Sequence, residues 1–203
     1  MGSTVMISSK VKLGCNICDK CCVNRGDIKI TPVNAIEISR FMNISIKDFL
    51  EKYTEPVDEE PLERIIIATG KEHRCILNNK ENSKCEIHKV KPMQCVTFPL
   101  IPIDLEHDIF YAQDSCTCKE KKEMKVLDWL NGKDGIYLKY KKIYIEWINF
   151  VEEMQSKWKY IDKRVQNKIV NMVFYDYDDN IKNVKKSVRK NIKRARALAK
   201  NLN

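Results

Sequence analysis

Four cysteines fall within eight residues near the N-terminus: Cys15, Cys18, Cys21 and Cys22. Two Cys-x-x-Cys pairs share Cys18, and a turn with that spacing can aim both thiolates at one ion, which is why it recurs at zinc and iron–sulfur sites. Cys21 and Cys22 are neighbours, so their side chains should diverge. The spacing therefore predicts that Cys15, Cys18 and Cys21 share one centre, with Cys22 packing, staying a spare thiol or reaching a second centre. Three further cysteines follow at equal intervals, Cys75, Cys85 and Cys95, and Cys116 and Cys118 close the cysteine-bearing half. Thiols in tight turns beside loops ligate more readily than thiols on a buried helix face. All nine are candidate metal ligands.

Ligand inventory bears on which metal. Zinc takes four ligands in a closed site, so eight of the cysteines would fill two such sites. Iron–sulfur clusters also take four thiolates each, and a dense run with remote further ligands is closer to ferredoxin practice than to a zinc ribbon, which shows two separate Cys-x-x-Cys knuckles. The expectation is one or two cysteine-ligated centres, an iron–sulfur cluster of the 4Fe-4S type ahead of zinc. His88, three residues after Cys85, is a further candidate ligand; His73 precedes Cys75 by two, and His107 stands in an acidic loop with Asp104, Glu106 and Asp108.

Composition narrows the classes. With 203 residues and 43% hydrophobic content, the chain can bury one real core plus an appendage. No run approaches the ~18 apolar residues of a membrane span, and Met1–Met6 lacks the charged-then-apolar pattern of a secretory signal. A cytoplasmic protein with no membrane partner is predicted. In that reducing compartment an odd number of cysteines reads as metal ligands rather than disulfides. Nine basic residues and no acidic one occupy 181–203, which accounts for the whole net charge of +9. A neutral body therefore carries a basic tail.

Those ligands need elements to hold them. Thr31-Pro32 predicts a capped helix through Val33, Ile36, Ile38 and Phe41, and Ser45 with Asp48 a second one through Phe49, Leu50 and Tyr53. Glu55 to Leu62, with two prolines and four acidic residues, reads as a solvated loop. Arg64–Ala68 reads as a strand paired with His73–Leu77 across a turn at Gly70. Phe98–Ile103 and Ile109–Ala112 read as a hairpin around a polar loop. Glu120–Leu130 reads as helical up to the turn 131–135, followed by a long helix from Ile136 to Trp158 and another through Ile161, Val165, Ile169 and Val173. In the tail, Val184, Val188, Ile192, Ala195, Leu198, Ala199 and Leu202 recur at helical spacing. The expected fold is α+β, mostly helical: a cysteine-rich metal-binding region with short strands (1–118), packed on a helical region (119–180), and a basic amphipathic helix (181–203).

Cys15-x2-Cys18-x2-Cys21-Cys22, Cys75-Ile76-Leu77, Cys85-Glu86-Ile87-His88 and Lys91-Pro92-Met93-Gln94-Cys95 with Phe98-Pro99 together resemble the CxxCxxCC zinc- or iron-chelating family, the YkgJ-type cysteine-cluster proteins. That family is similar in turn to flagellin lysine N-methylases. The chain departs from the usual pattern at His88, at Lys91-Pro92 and at Val96-Thr97, and the ligands stay intact. The resemblance implies bound metal. By analogy with the methylases alone, it also admits S-adenosylmethionine as cofactor and a protein lysine side chain as substrate. The chain shows no glycine-rich turn after a strand of the kind a nucleotide-type fold presents. The remaining alternative is a zinc-stabilised module that binds nucleic acid or an acidic partner through 181–203.

Overall fold

The computed structural model describes residues 2–14, 20–23, 27–58, 60–113, 121–132, 135–178 and 180–200. In chain order the strands and helices among them are β1 (Ser3–Met6), β2 (Lys10–Leu13), α1 (Pro32–Phe41), α2 (Ile46–Tyr53), β3 (Thr54–Val57), β4 (Glu60–Ile66), β5 (Ala68–Thr69), β6 (Arg74–Cys75), β7 (Asn78–Asn79) and β8 (Lys84–Cys85). There follow α3 (Met93–Thr97), β9 (Leu100–Asp104), β10 (Ile109–Ala112), β11 (Lys122–Lys125), α4 (Val126–Asn131), α5 (Ile136–Gln155), α6 (Lys163–Phe174) and α7 (Val184–Lys200). Helix outweighs strand at about 48% against 23%, so the fold is α+β as expected. The chain forms two compact units, Met1–Ile28 with Ile67–Ile145, and Lys29–Ile66 with Glu146–Asn203. Composition, by contrast, divides the chain in sequence order at 118 and 180.

In the first unit, β1, β10 and β9 form an antiparallel sheet, and its buried residues are Val5, Leu13, Met93, Val96, Leu100, Phe110, Val126, Leu130 and Tyr137. The expected hairpin of β9 and β10 is present. β1 on its edge and the ribbon of β2 with β11 were not anticipated. Glu120–Leu130 was expected to be helical, yet Lys122–Lys125 pairs with β2, setting Glu123 opposite Lys12 and Met124 opposite Val11. Cross-strand charge and apolar pairing outweigh the helix propensity of Lys-Glu-Met-Lys. The Tyr137 hydroxyl donates to Asp108, whose Oδ1 also lies 2.7 Å from Lys141 Nζ. Burial and that carboxylate push the Tyr137 phenol well above its usual range. This anchor ties the turn between β9 and β10 to α5.

The second unit begins with a reciprocal cap: Thr31 Oγ1 accepts from the Asn34 amide, and Asn34 Oδ1 accepts from the Thr31 amide. Pro32 at the first helical position needs no donor. At the start of α2, Ser45 Oγ accepts from the Asp48 amide and donates to Asp48 Oδ2. Ala35, Ile36, Ile38, Phe49 and Leu50 are buried, and α6 and α7 pack on each other and on α1. Trp147 lies between Phe150 and Phe174, 5.5 Å from each ring centroid.

The solvated loop expected over Glu55–Leu62 is instead part of a hairpin, β3 with β4. Its prolines mislead because a two-stranded ribbon is all edge, and an edge tolerates residues that donate no hydrogen bond. Leu62 and Ile66 fall on one face and are buried. Arg64–Ile66 therefore pairs with Thr54–Pro56 rather than with His73–Leu77, and only Ala68–Thr69 pairs with Arg74–Cys75. The long helix ends at Gln155, with Trp158 in a 3-10 turn beyond it. No helix among the described residues is long and apolar enough to cross a membrane. Leu202, Asp179 and the 133–134 part of the expected turn lie outside the described residues.

Candidate metal centre

Five of the nine predicted ligands are described: Cys21 is exposed, Cys22, Cys85 and Cys95 are half-buried, and Cys75 is buried. Cys15, Cys18, Cys116 and Cys118 lie outside the described residues. Cys21 and Cys22 sit on a 3-10 turn, Lys20–Cys22. Their sulfurs do not diverge as expected. They stand 4.0 Å apart, in contact, because the short cysteine arm lets adjacent residues lean together. Two sulfurs bound to one tetrahedral ion through bonds of about 2.3 Å would be roughly 3.8 Å apart.

The equal spacing of Cys75, Cys85 and Cys95 has a structural cause in its first two members. Ala68 pairs with Cys75 and Thr69 with Arg74; ten residues on, Asn78 pairs with Cys85 and Asn79 with Lys84. Each hairpin has a four-residue turn, and each turn ends on a residue in the left-handed region, His73 at φ 45° and Ser83 at φ 55°. The Ile76 amide donates to the Ile67 carbonyl and the Glu86 amide to the Leu77 carbonyl, both at 2.9 Å. Two residues past each cysteine, Leu77 and Ile87 are buried. Cys75 and Cys85 thus occupy equivalent places in a ten-residue repeat. Cys95 leaves it: the 3-10 turn His88–Val90 and Pro92 intervene, and Cys95 sits on the one-turn helix α3, its amide bonded to the Pro92 carbonyl.

Electrostatics connects the segments. Contact with the Cys22 sulfur, then burial, holds the Cys21 thiol well above its ordinary range, while Lys91 acts the other way. Burial raises the Cys85 thiol, opposed by the Ile87 amide and Lys91 and reinforced by Cys21. Cys21, Cys22 and Cys85 therefore share a neighbourhood with one lysine. Both shifted thiols stay protonated until something replaces the proton, and a metal ion does that. Among the described residues, no three His, Cys, Asp or Glu side chains come close enough to hold an ion.

Two residues were missed by the sequence reading of the site. Lys91 enters the sequence pattern only as part of a departure from the family, and in the structure its charge acts on the Cys21 and Cys85 thiols. Asn78 reads from the sequence only as the start of the loop between Cys75 and Cys85. It is buried, stands opposite Cys85, and accepts from Arg74 Nη1 at 2.7 Å through Oδ1. Among the described residues its Nδ2 has no acceptor. A buried donor without an acceptor costs about 1–3 kcal/mol, and a metal-bound thiolate is an acceptor of the right kind. The donor set thus fits a thiolate-held metal. The signal was available: in the ten-residue register Asn78 follows Cys75 as His88 follows Cys85, three residues on. His107 was read as part of a solvated loop, and it is exposed, bonded through Nδ1 to Asp104 at 2.8 Å.

No solved structure matches the chain. The model of the family described as CxxCxxCC, putative zinc- or iron-chelating domain, matches residues 14–127. That segment covers more than half of the sequence and contains every cysteine, so the chain belongs to the CxxCxxCC zinc- or iron-chelating family.

Proposed function

We propose that the protein holds a metal through cysteine thiolates, with Cys21 and Cys22 on the same ion. Cys18 and Cys15, one and two Cys-x-x-Cys steps before Cys21, complete that centre. Cys75, Cys85, Cys95, Cys116 and Cys118 supply the remaining ligands or a second centre. The metal function is assigned to residues 1–118, leaving 119–180 as a helical region and 181–203 as the basic tail. The observation that carries this reading is the 4.0 Å sulfur pair of Cys21 and Cys22. Bound there, the ion cross-links segments distant in sequence and, where a coordination position stays open, acts as a Lewis acid. The chain's own contribution is to gather thiols, place Lys91 against their negative charge and offer the Asn78 amide as a donor.

The same separation favours a single tetrahedral ion, zinc or iron, at this pair. In a 4Fe-4S cluster each iron takes its own cysteine, which spreads the sulfurs well beyond one tetrahedral edge. The cluster reading rests on inventory, since nine cysteines exceed what one ion needs. Anaerobic purification with elemental analysis, acid-labile sulfide and a visible spectrum separates the two. Zinc or iron without sulfide supports the shared ion, and a brown, sulfide-containing protein supports the cluster. A chain that takes up neither metal overturns both.

A further inference from the structure

Helices α6 and α7 pack against each other and carry eleven cations and no acidic residue between them. They lie outside the residues matched by the family. The apolar face of α7 is spent on the body: Val184, Val188, Ile192 and Ala195 are buried, and the buried Asn191 donates to the Met172 and Asp176 carbonyls at 2.9 and 2.8 Å. The three arginines of α7 are also spent. Arg189 makes a two-pronged contact with Glu146 at 2.7 and 2.9 Å, Arg196 meets Glu153 at 2.7 Å, and Arg194 meets Asp176 at 2.7 Å.

Apart from Arg194 and Ala197, the exposed residues of α7 are lysines. Lys186, Lys190, Lys193 and Lys200 are exposed. At about 3.6 residues per turn they fall within roughly 80° of arc, opposite Val188 and Ala195, in a row about 21 Å long. Lys163, Arg164 and Lys168 of α6 are exposed as well.

We propose that this lysine row docks the phosphate backbone of a nucleic-acid duplex. A lipid surface is the wrong partner because an interfacial helix must present an apolar face, and that face is buried. An acidic protein fits poorly: protein interfaces are depleted in lysine, and arginine, the better fork for carboxylates, is already paired. Single-stranded nucleic acid is bound chiefly by stacking on aromatic side chains. No aromatic follows Tyr177, and Phe174 of α6 is buried. Compact lysine charges at regular intervals suit phosphates read without regard to sequence.

The test uses the full chain and a labelled short duplex DNA of scrambled sequence, with fluorescence anisotropy followed against salt. Four lysines neutralising one phosphate each give a slope of log Kd on log salt of about 3.6, a loss of about a hundredfold between roughly 50 and 200 mM salt. The variant K186Q/K190Q/K193Q/K200Q should lose most of that slope while keeping the far-ultraviolet circular dichroism and Tm of the parent. K10Q/K12Q/K71Q/K80Q removes the same charge from exposed sites of the other unit and should leave binding nearly intact. Equal loss in both variants, a salt-independent Kd or no binding at low salt overturns the proposal. Equal or tighter binding to anionic vesicles, to a polyglutamate peptide or to the single strand, lost in the first variant, assigns the row to that partner instead and also overturns it.

Discussion

Phe49, Leu50, Phe174 and Val188 are sealed in one unit by helices of eight to seventeen residues, whereas Cys75, Leu77 and Ile87 in the other are held by strands of two residues each. The first arrangement supports itself. Capped helices bury contiguous apolar faces, and Arg40 reaches the Ile181 carbonyl across the same unit. The cysteine hairpins are far shorter elements, and an isolated two-stranded hairpin is marginal in water, although Leu77 and Ile87 beside them are buried. Their unit has a buried core of its own, which includes Val5, Leu100, Phe110 and Tyr137, so a metal held by the thiols would add cross-links to the hairpins rather than replace a core. The proposed metal would then stabilise the cysteine hairpins and leave the helical unit unaffected.

Cys21→Ser gives the largest expected effect. It removes one of the two touching sulfurs, so metal content by elemental analysis should fall by at least one ion per chain while helical circular dichroism is kept. Unchanged metal content would break the contrast at its root. Phe174→Ala opens a hole beside Trp147 in the helical unit and should cost about 3–5 kcal/mol by denaturant titration. Its metal stoichiometry should match the parent, and a parallel loss of metal would show that the units are not independent. Asn78→Asp keeps the oxygen that accepts from Arg74 but deletes the amide donor and adds negative charge beside the thiols. Metal affinity by chelator competition should drop about ten- to a hundredfold, and parental affinity would exclude Asn78 from the centre.

The smallest effect concerns pH, at the exposed His107–Asp104 pair. The Asp104 hydrogen bond raises His107 above its ordinary 6.5, so its contribution is full below that value and is lost as pH rises through the raised one. The His107 contacts lower Asp104 below 3.8, so its contribution is present above that value and is lost as pH falls through the lowered one. The Tm difference between parent and His107→Gln should therefore be greatest between these limits and vanish at alkaline pH. A difference that persists at alkaline pH would assign His107 some other role.

Much of the helical unit was legible in the sequence because its signals are local. Thr31-Pro32, Ser45 with Asp48, and the apolar spacing of 184–199 each specify a helix without help from distant residues. The strands were less legible. Lys122–Lys125 becomes β11 only because Leu13, Val11 and Lys12 lie opposite it, and Glu60–Ile66 hides behind prolines that an edge ribbon tolerates. In the site, ligand types and spacing were readable, and the ten-residue interval was seen without its meaning. The closeness of the Cys21 and Cys22 sulfurs was not readable, since it depends on side-chain direction rather than on residue order.

Amide hydrogen exchange at Ile76 and Glu86, before and after anaerobic chelation of the metal-loaded full chain, tests the central claim most directly. These amides bond to Ile67 and Leu77 and hold the two cysteine hairpins in register; those of Ala35 and Phe49, bonded to Thr31 and Ser45, report on the helical unit. Chelation should abolish protection at Ile76 and Glu86 and leave Ala35 and Phe49 protected. Protection at Ile76 and Glu86 that survives complete metal removal would contradict the account.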